Sequence, residues 1–87
     1  MAKYNIEIKI SAVKEIKDLP QKEIKKILSV IKDLSNTPRP LGCRKLSHEE
    51  KYRIRVGSYR ILYFIKDDVL VIYIIKIAHR QSVYKKR

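Results

Sequence analysis

The first pattern in the chain is a strict alternation of apolar and polar residues over positions 4–10. Its apolar members are Tyr4, Ile6, Ile8 and Ile10. Because successive side chains of a strand point to opposite faces, this alternation predicts a strand with one buried face.

Two helical patterns follow the strand. Ser11 is a suitable N-cap for a short first helix, in which apolar residues recur at a spacing of three. Pro20 ends that pattern and can open a second helix, because its missing N–H costs nothing at the first helical position. The apolar stripe of the second helix consists of Ile24, Ile27, Leu28, Ile31 and Leu34. Lysines on the opposite side are most simply a solvated face, and contact with a nucleic-acid backbone is the alternative.

Residues 51–63 predict a tight β-hairpin. Gly57 and Ser58 separate two runs rich in β-branched and aromatic residues, and glycine at the first central position suits a two-residue type II′ turn. Such a turn fixes the pairing of the strands, with Arg55 opposite Arg60. Side-chain alternation then places Arg53, Arg55 and Arg60 on one face, where we expect all three arginines to be exposed.

The last long apolar run, residues 69–77, predicts a strand in the middle of the sheet. Asp67 and Asp68 mark the preceding reversal, and a two-residue loop there would extend the arginine-bearing face into an apolar surface. That surface would consist of Leu62, Phe64, Val71, Tyr73 and Ile75. An amphipathic partner segment or the C-terminal tail of the chain itself could cover it.

These patterns together predict one α+β domain over residues 1–87. We expect a small antiparallel sheet of about four strands, with two N-terminal helices packed on one face and the element order β-α-α-β-β-β. The breaker-rich residues 36–42 form a connection. Leu46 and its neighbours form a short strand or an extended segment before the hairpin.

The net charge of the chain indicates the kind of partner that it binds. The chain has 87 residues, with 21 Lys and Arg against 9 Asp and Glu, and a formal net charge of +12. This balance favours a polyanionic partner, either nucleic acid or a strongly acidic protein.

No apolar run approaches the roughly 20 residues that span a bilayer, and no signal peptide is recognisable. The single cysteine, Cys43, excludes an internal disulfide. We therefore expect a cytoplasmic protein without a thiol metal cluster.

The three hairpin arginines suggest a phosphate site. Like charges directly opposite one another on a sheet repel, and a bound anion relieves that repulsion. The guanidinium group is permanently charged and matches phosphate oxygens. The alternative is a solvated strand face in a basic protein. His48 is expected to be an exposed loop histidine.

The segments KYRIRVGSYRILYFI and VLVIYIIKIAHRQSVY, in this order of elements, resemble the RelE/ParE superfamily of toxins from toxin–antitoxin pairs, on the RelE side. The resemblance implies an endoribonuclease that cleaves messenger RNA in the ribosomal A site. It also implies an inhibitory antitoxin, with operator DNA bound only through the toxin–antitoxin complex. Carried over by position, the catalytic residues would be Arg53, Arg55, Arg60, Arg80 and Tyr84.

The chemistry implied by the resemblance needs no metal, because the 2′-hydroxyl of the RNA attacks the adjacent phosphorus and the arginines stabilise the charge that develops. Further RNA contacts are expected from Lys45, Lys51, His79 and Lys85. The best-known RelE-type toxins carry lysine where this chain has Arg53 and Arg55. Because arginine does not give up its proton, the general base stays open, with His79, Lys51, Tyr84 or a ribosomal RNA group as candidates.

Two further points stay open. In a regular strand Arg80 has the wrong parity for the arginine-bearing face, so reaching it requires a bulge or a bend near Ala78. The alternative functions are a ParE-like poison of DNA gyrase and a catalytically weak homologue that binds nucleic acid or an antitoxin.

Overall fold

The computed structural model describes residues 3–46 and 50–79. The elements in chain order are β1 (Asn5–Ile8), α1 (Ile10–Lys17), α2 (Gln21–Leu34), β2 (Arg44–Lys45), β3 (Lys51–Val56), β4 (Tyr59–Lys66) and β5 (Val71–His79). The α+β class and the succession of one strand, two helices and a series of strands are confirmed.

The strands form one sheet in the order β1-β5-β4-β3-β2. It has five strands rather than about four, because the segment before the hairpin pairs with β3 as the two-residue strand β2. The sheet is mixed rather than wholly antiparallel, since β1 runs parallel to β5 while the other neighbours are antiparallel.

Both helices pack on one face of the sheet, as the apolar stripes predict. Ala12 and Ile16 of α1 and Ile27, Ile31 and Leu34 of α2 are buried. They share one apolar cluster with alternate residues of the strands, among them Ile61, Tyr63, Ile65, Ile72 and Ile74. Burying each such side chain stabilises the fold by about 1.5–3 kcal/mol before conformational entropy is subtracted. The opposite face of the sheet carries no helix among the described residues.

The start of α1 differs from the prediction. The helix begins at Ile10, with Lys9 as its N-cap and no side-chain cap, so Ser11 lies inside the helix. Strand β1 ends at Ile8, and Ile10, which was expected on the buried side of a strand, is 74% exposed. The alternation continues for two residues beyond the strand because hydrophobicity alone does not mark where the backbone changes conformation.

The β3–β4 hairpin is confirmed in full. The register pairs Tyr52–Tyr63, Arg53–Leu62, Ile54–Ile61, Arg55–Arg60 and Val56–Tyr59. Gly57 has a φ of +60°, whereas Ser58 is not among the residues with positive φ. This combination suits a type II′ turn, in which only the first central residue needs the left-handed region.

The β4–β5 connection departs from the predicted two-residue loop. Four residues, 67–70, separate the strands, and Leu70 adopts a φ of 54°. The pairs Lys66–Val71 and Phe64–Tyr73 still place Val71 and Tyr73 on the side of the sheet away from the helices.

Strand β5 also contains a bulge. Leu62 lies opposite Lys76 while its neighbour Tyr63 lies opposite Ile74, so Ile75 is an extra residue in β5. A bulge changes the parity of all later residues in the strand.

Candidate functional site

Four arginines lie on the sheet face opposite the helices, which we call the arginine face: Arg44, Arg53, Arg55 and Arg60. Arg44 of β2 is in register with Arg53 of β3, and Arg55 of β3 is in register with Arg60 of β4. Residues directly opposite one another share a face, and neighbouring strands are about 4.8 Å apart. Three adjacent strands therefore concentrate four cationic side chains in one small area.

The expectation that Arg60 is exposed is wrong. Arg55 is exposed and Arg53 is half-buried, but Arg60 is only 6% exposed. Strand β4 has a neighbour on each side, and Arg60 lies between Arg55 on β3 and Ala78 on β5. These neighbours remove most of the side chain from water, its Nε included.

Sequence reasoning missed Arg44. The residue is exposed and belongs to a strand of only two residues, which is too short to show a periodic pattern. The only sequence signal was the extended character assigned to the segment around Leu46, and this did not give a register. The pairing of β2 with β3 is what adds Arg44 to the arginine face.

Lys51 lies on the same side of the sheet as the arginines. It is in register with Phe64, and its Nζ lies 6.0 Å from the centroid of the Phe64 ring. The distance is at the outer limit of a cation–π contact, so the ammonium group of Lys51 can also reach a ligand on this face.

Lys45 and His79 are placed differently. Lys45 is in register with Tyr52, so it starts from the helix side of the sheet and not from the arginine face. Its Nζ donates to Oε2 of Glu50 at 3.0 Å. His79 is in register with Tyr59 and packs edge-on against that ring, with centroids 5.1 Å apart. The structure does not bring either side chain together with the arginines, and their assignment to RNA binding stays a prediction. Arg80, Tyr84, Lys85 and His48 lie outside the described residues.

A second polar cluster anchors residues 36–43 at the end of the sheet where β4 turns into β5. The Nη2 of Arg39 donates to Glu50 at 2.9 Å and to Asp67 at 2.8 Å, and its Nε donates to the hydroxyl of Tyr52 at 3.0 Å. The hydroxyl of Tyr4 donates to Asp67 at 2.5 Å. We call these five residues the Arg39 cluster.

Hydrogen bonds stabilise the ionised form of the two carboxylates in the Arg39 cluster, which lowers the pKa of each. Bonds donated by Tyr52, Lys45 and Arg39, in that order of effect, lower the pKa of Glu50 to about 2. Arg39 is the main cause of the lowered pKa of Asp67, followed by Tyr4. The charge of Arg39 is thus matched by two carboxylates and serves to hold the connection in place. This suits the expectation that residues 36–42 form a connection.

The two polar regions differ in charge balance. Within residues 3–46 and 50–79, neither Arg44 nor Arg55 forms an ion pair, whereas Arg39 forms two. An excess of positive charge on an open sheet face attracts anions, and guanidinium groups bind phosphate oxygens through paired hydrogen bonds. The arginine face can therefore hold a phosphate and stabilise negative charge that develops on it.

Within residues 3–46 and 50–79, no group of three or more His, Cys, Asp or Glu is arranged to hold a metal ion. None of the helices found there has the length and apolar character needed to cross a membrane.

The sequence and fold match known toxins. The family described as ParE toxin of type II toxin–antitoxin system, parDE, matches residues 6–84. The protein named "Putative toxin RelE1" of Methanocaldococcus jannaschii is 36% identical over an alignment of 87 residues, covering 95% of this chain and 97% of that protein.

Solved structures agree in fold. A chain of the archaeal RelE–RelB complex from Pyrococcus horikoshii OT3 has a TM-score of 0.83 and 28% identity, covering 90% of this chain and 96% of that one. A chain of the RelBE2 toxin–antitoxin complex from Mycobacterium tuberculosis has a TM-score of 0.80 and 26% identity, covering 92% and 94%. With a family match over most of its length and an arginine-bearing hairpin on a RelE-like sheet, this chain belongs to the RelE/ParE superfamily of type II toxin–antitoxin toxins.

Proposed function

We propose that residues 1–87 act as a single toxin domain that cleaves messenger RNA in the A site of the ribosome, in the cytoplasm. The observation that carries this proposal is the pairing of Arg55 with Arg60 on the open sheet face, with Arg53 beside them. Three arginines gathered on one sheet face suit a phosphodiester whose charge increases during reaction.

The reaction uses the RNA's own nucleophile. The 2′-hydroxyl of one nucleotide loses its proton to a base and attacks the adjacent phosphorus in line. The bond from phosphorus to the 5′-oxygen of the next nucleotide breaks, and that oxygen takes up a proton. The products are a 2′,3′-cyclic phosphate and a free 5′-hydroxyl. The ribosome aligns the message, so alignment and charge stabilisation supply much of the rate.

The side chains have different parts in this scheme. Arg55 is exposed and can contact the phosphate directly, while Arg53 and the buried Arg60 hold positive charge beside it. Arg44 extends the face toward a neighbouring phosphate. Lys51, on the same face, is a candidate base because lysine, unlike arginine, can give up its proton.

Arg80 and Tyr84 remain part of the proposal through the family resemblance alone. Arg80 would add a further guanidinium, and Tyr84 would stack on a base or orient it. The proposed reaction involves no metal and no cofactor.

We further propose that an antitoxin covers the apolar part of the arginine face. The residues concerned are all partly exposed: Leu62, Phe64, Val71, Tyr73 and Ile75. An amphipathic segment with acidic residues would bury this apolar surface and pair with the arginines at the same time. The similar chains of P. horikoshii and M. tuberculosis come from complexes named RelE–RelB and RelBE2. Operator DNA would be bound only through such a complex.

The test is expression of the chain with and without a cognate antitoxin, followed by mapping of message cleavage on ribosomes. We expect cleavage with the toxin alone and none with the antitoxin. Growth arrest with an intact message and stalled gyrase would contradict the proposal and favour a gyrase poison. Binding of RNA or antitoxin without any cleavage would point to a catalytically weak homologue.

A further inference from the structure

The bulge at Ile75 decides which β5 side chains belong to the arginine face. Before it, Ile72 and Ile74 point to the helices. In a regular strand Lys76 and Ala78 would continue on that side. With the bulge, Ile77 enters the core and Ala78 lies opposite Arg60. The bulge therefore sets the orientation of the end of β5, after which the chain continues to Arg80, a proposed site residue.

The backbone after the bulge lacks a strand neighbour on its outer side. Strand β1 pairs with β5 only as far as Ile8–Ile74, and the N–H of Lys9 donates to the carbonyl of Ile74 at 2.9 Å. The chain then leaves the sheet to form α1, so the outward N–H of Ile77 needs another acceptor. A buried N–H without one is strongly unfavourable.

Glu15 of α1 supplies that acceptor. Its Oε1 accepts from the N–H of Ile77 at 2.9 Å, and its Oε2 accepts from Nζ of Lys76 at 2.8 Å. One carboxylate thus holds the first two residues after the bulge, from a side chain that is 31% exposed. Its hydrogen bonds form only in the bulged register, since a slip by one residue would move the N–H of Ile77 away from it.

We propose that Glu15 is a positioning residue, which takes the place of the missing β1 neighbour and locks β5 in the bulged register that brings Ala78 opposite Arg60. Its effect on cleavage rests on the proposed function, but its effect on register does not. Among the described residues, the polar contacts of Glu15 are with Lys76 and Ile77, so it acts on the proposed site through β5.

The experiment compares Glu15→Ala, which removes both bonds, with Glu15→Gln, which keeps an oxygen for the N–H of Ile77. Glu7→Ala is the matched control, since Glu7 is an exposed carboxylate on β1 without an ion pair to the described residues. Full-length variants are compared under conditions where all are folded, by amide hydrogen exchange, by NMR contacts between Arg60 and Ala78, and by message cleavage on ribosomes.

We expect Glu15→Ala to speed exchange of the Ile77 amide at least tenfold, to weaken the Arg60–Ala78 contact, and to lower kcat about tenfold with KM changed less than twofold. Glu15→Gln and Glu7→Ala should stay within about threefold of the unmodified chain. An unaltered Ile77 amide and Arg60–Ala78 contact in Glu15→Ala would overturn the proposal. If the unmodified chain cleaves no message, the proposed function fails, while the exchange and NMR results still decide the role of Glu15.

Discussion

The two arginines that face each other across the hairpin occupy different environments. Arg55 is exposed, whereas Arg60 is 6% exposed although it belongs to the same cross-strand pair. An exposed guanidinium can be removed with little effect on folding, but removal of a buried one also disturbs its packing. Arg55 is therefore the cleaner probe of the site.

Replacing Arg55 with alanine should lower message cleavage by about 10²–10³-fold, because it removes one positioned cation from the transition state. The free energy of unfolding should change by less than about 0.5 kcal/mol, as is usual for an exposed site. Cleavage on ribosomes and urea denaturation measure the two effects. Lys26→Ala, an exposed cation on α2, is the control. Wild-type cleavage by Arg55→Ala would remove this arginine from the site.

At the scale of elements, the sequence predicts best where a short turn fixes the register. Gly57 and Ser58 leave one pairing for β3 and β4, and the structure has that pairing. Asp67 and Asp68 do not define a turn type. The observed four-residue turn requires a positive φ at Leu70. Leucine is not one of the residue types that favour this conformation, so the sequence does not predict the turn.

The sequence predicts only the part of the arginine face whose strand register is set by the short hairpin turn. Arg53, Arg55 and Arg60 follow from the hairpin alone, while Arg44 depends on the pairing of a two-residue strand. The strand after the bulge at Ile75 is bonded to Glu15, which is distant in sequence. The low exposure of Arg60 depends on β5 lying beside it. Tertiary neighbours, which no local pattern reports, decide these features.

The apolar stripe of α2 provides a paired test of the core. Ile27 is fully buried, while Leu28 is 45% exposed. We expect Ile27→Ala to lower the free energy of unfolding by about 2–5 kcal/mol, through lost burial and a cavity. Leu28→Ala should lower it by less than about 1 kcal/mol. Denaturant unfolding measures both, and equal losses would contradict the placement of the helix.

The Arg39 cluster predicts a pH-dependent contribution to stability. The folded pKa of Glu50 is about 2, below its usual value of 4.5, so its contribution is complete above pH 4.5 and is lost as the pH falls through 2. The effect is small because the group is exposed. Glu50→Gln should therefore be less stable than the unmodified chain at pH 7, with the difference shrinking between pH 4.5 and 2.5. Glu7→Gln is the control, and a difference independent of pH would exclude this role.

At the scale of the whole molecule, the sheet separates two functions. One face is covered by α1 and α2 and forms the core, while the other face carries the arginines and a partly exposed apolar surface. A formal net charge of +12 attracts polyanions over a range set by salt screening. The same open face suits both a phosphate backbone and a covering protein segment, so RNA and antitoxin should compete for it.

Binding of single-stranded RNA should weaken steeply with salt. Each phosphate contact contributes about −0.7 to the slope of log K against log salt concentration. Arg55→Ala should make the slope shallower by about 0.7, and Lys26→Ala should leave it nearly unchanged if the arginine face carries the contact. Affinities measured by fluorescence anisotropy between about 50 and 200 mM salt test this. Equal slopes for the unmodified chain and Arg55→Ala would place the RNA elsewhere.

Cleavage by the 2′-hydroxyl is tested most directly by the chemical identity of the RNA ends that the purified chain makes on ribosomes programmed with a defined message. We expect a cut within the A-site codon, with a 2′,3′-cyclic phosphate on the upstream fragment and a 5′-hydroxyl on the downstream one. The same cut should form about 10²–10³-fold more slowly with Arg55→Ala. An intact message, or a fragment with a 5′-phosphate, would contradict cleavage by the 2′-hydroxyl on the arginine face.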